Sequence, residues 1–91
     1  MRYQLRIEDE VKKQIARLPG NVRQRVVQTI EGLRTNPRPP NAIELIGVLA
    51  GCYKIVLGPN RIVYEVIDDL VIVEVLKVGK KHGPEFYTGL R

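Results

Sequence analysis

The sequence predicts an α+β domain of order β-α-α-β-β-β, in which an N-terminal helical hairpin packs on one face of a twisted, mostly antiparallel sheet. Three patterns predict it: alternation over residues 2–7, two helical-period apolar stripes separated by Pro19-Gly20, and three alternating runs between Cys52 and Gly79.

The segment RYQLRI sets Tyr3, Leu5 and Ile7 on one face and Arg2, Gln4 and Arg6 on the other, the pattern of a half-buried strand. Val11, Ile15 and Leu18 then recur at helical spacing until Pro19-Gly20 stops the helix. Asn21, with Gln24 three residues on, is a candidate N-cap for a second helix whose stripe is Val22, Val26, Ile30 and Leu33. A link this tight makes the two helices an antiparallel hairpin. NPRPPN (36–41) is a stiff connector too short to separate domains, so residues 1–91 are expected to form a single domain. A brief strand is expected in AIELIGV, with Gly47 and Gly51 bracketing a turn. CYKIVL, RIVYEVI and LVIVEVLKV complete a meander, with turns at Gly-Pro-Asn (58–60) and Asp68-Asp69.

Composition narrows the function classes. Hydrophobic residues make up 44% of the chain, too many for a disordered segment. No apolar run approaches the ~18 residues of a membrane span, and Met1 leads into an alternating strand, not a secretory signal. Cys52 is the only cysteine, so no internal disulfide forms and a reducing cytoplasm fits. Cys52 and the single His82 are too few for a zinc site, and no other metal or cofactor is expected. The chain contains no serine for a hydroxyl triad, and Asp68-Asp69 reads as turn chemistry. The net charge of +5 is concentrated: residues 12–38 hold seven cations (Lys12, Lys13, Arg17, Arg23, Arg25, Arg34, Arg38) against Glu31 alone. A one-sided basic helical segment favours a polyanionic partner, because neutralised phosphates release their counterions.

In the strand CYKIVL, Tyr53, Ile55 and Leu57 share one face, and Cys52, Lys54 and Val56 the other. The helices need an apolar face, so Lys54 is expected on the open side. Arg61 begins the next strand, Lys77, Lys80 and Lys81 end the last one, and Tyr87 can fold back over them. Convergence of these residues would give a phosphate site with an aromatic platform. The blander account is that edge lysines blunt aggregation and Tyr87 covers a gap in the core.

The run CYKIVLGPNRIVYEVIDDLVIVEVLKVGKKHGPEFY resembles the RelE branch of the RelE/ParE toxin superfamily: a YKI strand, an R-hydrophobic-VY strand, an ID turn, a VGK segment and a late tyrosine. LPGNVRQRVVQTIEGLRTNPRPPNAIEL is similar to the same family's helical hairpin, NP connector and following strand. The resemblance implies a toxin that enters the ribosomal A site and cuts the message by attack of a ribose 2′-OH on its adjacent phosphate. By position it implies Lys54 as general base, Arg61 as transition-state stabiliser, Lys81 as the group assisting the leaving oxygen, and Tyr87 as the stacking residue. Lys77, Lys80, His82, Lys12, Lys13, Arg17, Arg23 and Arg25 become RNA-binding candidates. The implied partners are the ribosome, its message and a cognate RelB-like antitoxin, acidic and helical, in a toxin–antitoxin heteromer. Two departures stand out: Val56 replaces a second lysine, and Lys81 replaces an arginine whose planar fork grips phosphate twice. Two other readings share the fold, a ParE-like inhibitor of DNA gyrase and a catalytically weakened binding module.

Overall fold

A computed structural model describes residues 2–90, so Met1 and Arg91 lie outside the described residues. The chain runs β1 (Gln4–Ile7), α1 (Asp9–Ala16), α2 (Gly20–Gly32), β2 (Ile43–Glu44), β3 (Cys52–Leu57), β4 (Asn60–Ile67) and β5 (Ile72–Lys80). Short 3-10 turns occupy Gly47–Leu49, Asp68–Leu70 and Pro84–Tyr87. The sheet order is β1-β5-β4-β3-β2; β1 lies parallel to β5, and every other pairing is antiparallel. The expected α+β architecture is therefore present, with β2 as a two-residue edge strand. No helix among the described residues is long and apolar enough to cross a membrane.

One sheet face carries the core. Val11 of α1 and Val26, Ile30 and Leu33 of the second helical stripe pack on Ile55, Ile62, Tyr64, Val66, Val73, Val75 and Val78. The spacing of the last three breaks the period of two. Val63 pairs with Lys77 but Tyr64 pairs with Val75, leaving Leu76 as an extra residue in β5. This bulge lets Val73, Val75 and Val78 all face the helices and turns Lys77 and Gly79 to the open side. Beyond Ile7, β5 has no partner on its β1 edge, and Gln14 of α1 supplies the missing acceptor: its Oε1 takes the Val78 N–H at 2.9 Å.

The helical link differs from its sequence reading. Asn21 is not the cap; α2 starts at Gly20, Pro19 precedes it with φ −54°, and no side chain caps it. The Pro19 carbonyl accepts the first helical bond, from Arg23 N at 2.8 Å. Proline's fixed φ already suits this entry, so the helix begins two residues earlier than the Asn-x-x-Gln pattern indicates. The β3–β4 turn is likewise tighter than Gly-Pro-Asn. It is Gly58-Pro59, with Gly58 at φ +61°, and Asn60 is the buried first residue of β4.

Polar contacts clamp the far end of the sheet. Arg38, in the proline-rich connector, donates to both carboxylate oxygens of Asp68 (3.3 and 2.8 Å) and to Tyr53 Oη (2.8 Å). Tyr3 Oη adds a third bond to Asp68, at 2.7 Å. These bonds, Arg38's first, hold the Asp68 carboxyl below its ordinary value. Beneath them, buried Tyr64 donates to Pro37 O at 2.8 Å, and burial pushes its hydroxyl pKa up to about 12.

Two predictions follow from this end of the molecule. A raised folded pKa contributes stability that is complete below the unfolded tyrosine value near ~10 and lost as pH climbs towards the folded value. Tyr64→Phe should therefore flatten stability above pH ~10 while costing about 1–3 kcal/mol at neutral pH through the orphaned Pro37 carbonyl, both read from urea unfolding across pH. Val71 is β-branched yet holds φ +55° after the Asp68–Leu70 turn. Val71→Gly should raise the urea midpoint, by up to about 1 kcal/mol in stability, by relieving left-handed strain.

Candidate active site

The open face is organised in cross-strand rows. Lys54, Val63 and Lys77 form one row; Val56, Arg61 and Gly79 form the next, towards the Gly58-Pro59 turn. Directly paired residues project to the same side, so Lys54, Arg61 and Lys77 share the face away from the helices. Val56 stands opposite Arg61 and is exposed, leaving an apolar surface beside the guanidinium's strand position.

The C-terminal segment folds back onto these rows. Phe86 is buried, and a Cβ placed on Gly79 would lie 4.0 Å from Phe86 Cε1, so the 3-10 turn Pro84–Tyr87 sits against the open face. Phe86 meets Tyr87 edge to face, with centroids 5.4 Å apart. The Tyr87 ring is then the common neighbour of two ammonium groups, Lys54 Nζ at 5.7 Å and Lys81 Nζ at 6.0 Å from its centroid. The Lys81 backbone N–H donates to Pro59 O at 3.1 Å, which ties the end of β5 to the β3–β4 turn.

Arg61 is fixed on one side only. Its Nη1 donates to Gly58 O (2.9 Å) and Asn60 O (3.0 Å), while its Nε, shielded from solvent, has no acceptor among the described residues. The shielded hydroxyl of Tyr87 is also without a partner among them. The ion pairs among the described residues join Arg6 to Glu74, Arg34 to Glu31 and Arg38 to Asp68, so none engages Lys54, Arg61 or Lys81. Native proteins satisfy most shielded polar atoms. A face holding two ammonium groups and two unengaged donors is therefore suited to an anion carrying several acceptor oxygens.

The remaining sequence candidates divide. Lys77 reaches the same face but is held within the chain: Nζ donates to Phe86 O at 2.7 Å and stands 4.3 Å from the Phe86 centroid. It anchors the turn that presents Tyr87. Lys80 does not join this face, contrary to the expected convergence of the β5 lysines. It pairs with Asn60, one residue out of phase with Arg61 and Gly79, and so projects to the helix side. His82 is exposed beside Lys77 and Phe86. Lys12, Lys13, Arg17 and Arg25 are exposed on the helical hairpin. Arg23 is exposed too, but its Nη1 donates to Ala16 O (3.4 Å) and Leu18 O (3.1 Å), capping the end of α1. Sequence reasoning missed Phe86 and Asn60; an aromatic residue beside the late tyrosine was the available signal for the first.

Lys77→Met should remove a charge-assisted bond to a carbonyl and a ring contact, each worth on the order of 1 kcal/mol. Amide hydrogen exchange across residues 85–88 should then accelerate about tenfold with global stability little changed. Unaltered exchange would mean that Phe86 burial alone holds the turn.

Known proteins resemble this chain in sequence and in fold. The family model for the ParE toxin of type II toxin–antitoxin systems matches residues 5–82. The mRNA interferase toxin RelE of Escherichia coli K12 is 34% identical over 90 residues, covering 97% of this chain and 93% of that protein. A double arginine-to-alanine mutant of E. coli RelE in the free state superposes with a TM-score of 0.78 at 34% identity, covering 96% of this chain and 92% of the other. The toxin in the intact E. coli RelBE toxin–antitoxin complex gives a TM-score of 0.74 at 30% identity, over 89% and 99% of the two chains. The chain belongs to the RelE/ParE superfamily of toxins from type II toxin–antitoxin systems, and within it is a RelE-like toxin.

Proposed function

We propose that this toxin is a ribosome-dependent endoribonuclease that cuts messenger RNA in the A site without a metal ion. The observation that carries the reading is the gathering of Lys54 and Lys81 on the Tyr87 ring, beside an Arg61 guanidinium with an unengaged Nε. The relatives named mRNA interferase support the same class of reaction.

In the proposed chemistry Tyr87 stacks on the base of the nucleotide to be cut. Lys54 takes the proton from its 2′-OH, and the 2′ oxygen attacks the adjacent phosphorus. The bond to the 5′ oxygen of the next nucleotide breaks, and Lys81 donates a proton to it. The products are a 2′,3′-cyclic phosphate and a free 5′-OH. Arg61 offers its donors to the phosphorane-like transition state, where charge on the equatorial oxygens is greatest. Lysines of ordinary pKa near ~10.4 are neutral only about once in ~10³ near pH ~7.4, so a lysine base works poorly in open solvent. Closure of the ribosome over the site supplies the desolvation the base needs, and cleavage of free RNA should be feeble.

Lys12, Lys13, Arg17, Arg23 and Arg25 form the docking surface for ribosomal RNA in this reading, and His82 lies at the margin of the message path. The work is cytoplasmic, where ribosomes translate. The cognate partner is an acidic, helical antitoxin of the RelB type; the RelB–RelE complexes among the structural relatives support this assignment.

Primer extension on a message in a purified translation system tests the reading. Wild type should cut within codons only when ribosomes are present. Arg61→Ala and Tyr87→Ala should each slow cutting by about 10²–10³-fold, and added salt should weaken it steeply. An uncut message would overturn the reading. Inhibition of gyrase supercoiling would then assign the chain to ParE-like action, and its absence would leave a binding module.

A further inference from the structure

The same end of the sheet carries a second cationic site on its helix side. Asn60 and Arg61 are consecutive in β4 and so project to opposite faces. Arg61 belongs to the front, whereas Asn60 pairs with Leu57 and Lys80 behind. There a solvent-open cavity of about 560 Å³ lies between the α1–α2 link and the β3–β4 turn. Its walls include Leu18, Val22 and Leu57, and Arg17, Arg25 and Lys80 are its charged residues, with no carboxylate among the lining. Asn60 also lines it and is only 4% exposed, yet its Oδ1 has no donor among the described residues.

These features demand three things of one ligand. The apolar walls favour a flat or apolar body. Three cations favour an anion. The Asn60 carbonyl oxygen needs a hydrogen-bond donor, since a buried acceptor left unpaired is unfavourable. Inorganic phosphate meets only the second demand. A fatty acid, ionised at neutral pH, meets the first two but has no hydrogen-bond donor to give. A nucleotide meets all three: its base supplies the flat body and the N–H edge, and its phosphate the charge.

We propose that this cavity is a binding pocket for an unpaired nucleotide of an RNA strand, with the base against Leu18, Val22 and Leu57 and a phosphate at Arg17, Arg25 and Lys80. The assignment of the strand as RNA rests on the function proposed above; the pocket itself is separate from the Lys54–Tyr87 face. It gives Lys80 a role on the side of the sheet to which the β-register directs it.

Amide chemical shifts of the full-length toxin test this, with a 2′-O-methyl trinucleotide as probe because its blocked 2′ oxygen cannot be cut. The trinucleotide should shift Leu18, Val22, Leu57 and Asn60 saturably at low salt. AMP should bind the same residues about tenfold more weakly, having a single phosphate. Asn60→Leu should weaken binding about tenfold, and Arg25→Glu, an exposed position that leaves the fold intact, should do so even where the first variant folds poorly. Equal shifts by inorganic phosphate would make this an anion site, equal affinity for AMP a mononucleotide site, and stronger binding of octanoate an apolar-acid site; each overturns the proposal. Shifts confined to Lys54 and Tyr87 overturn it too, while leaving message cleavage, which primer extension reads independently, untouched.

Discussion

The extra residue in β5 is the constraint on which the two faces of this molecule depend. Strict alternation from Val73 and Val75 would carry Lys77 and Gly79 to the helix side, placing an ammonium under α1 and α2. Burying an unpaired charge there is prohibitive. The bulge at Leu76 shifts the phase once, so Val78 joins the core while Lys77 emerges on the open face to meet Phe86. It also places Gly79 in van der Waals range of Phe86. A single unpaired residue in the strand thus permits both the continuous core and the placement of Tyr87.

Polar satisfaction is unevenly distributed along β4. At the Asp68 end, one carboxylate accepts from Arg38 twice and from Tyr3, and Arg38 reaches on to Tyr53. Tyr64 reinforces this end from within through Pro37. At the Asn60 end, Asn60 Oδ1, Arg61 Nε and the Tyr87 hydroxyl are shielded and unengaged among the described residues. Isolated surface ion pairs add little stability. A bidentate arginine–carboxylate pair, its arginine bonded to Tyr53 and its carboxylate to Tyr3, holds connector, turn and strand together, which lets the opposite end keep unmet hydrogen-bonding capacity. Departures of that kind from full satisfaction are characteristic of functional surfaces.

Much of this was legible in the sequence, for identifiable reasons. The stripe Val22, Val26, Ile30 and Leu33 and the alternation in CYKIVL report helix and strand periods directly, and they placed Lys54 on the open side. The bulge was hidden because VIVEVLKV reads as one unbroken strand whichever residue is extra. That concealment set Lys80 on the wrong face. Its only trace was a lysine falling in phase with core valines. Asn21 misled for a different reason: the Asn-x-x-Gln pattern marks a capping site only where the chain enters the helix there, and Pro19 sets the entry upstream of it. The juxtaposition of Lys54, Lys81 and Tyr87 was accessible through family resemblance more than through periodicity, because the chain from Lys81 to Tyr87 has no repeating pattern to read.

The β3–β4 turn links both faces mechanically. Pro59 O accepts the Lys81 N–H, and Gly58 O and Asn60 O hold Arg61, so the backbone of one tight turn positions the front cations. Lys80, one residue before Lys81, projects behind, where it lines the cavity with Arg17 and Arg25. The Lys80–Lys81 pair therefore puts one cation on each side of the same turn. On the proposed chemistry, the front site needs only geometry from the protein; desolvation comes from the surface it docks on. In that proposal the reacting groups already stand together in the toxin, and RNA closing over both sides of the turn supplies the rest.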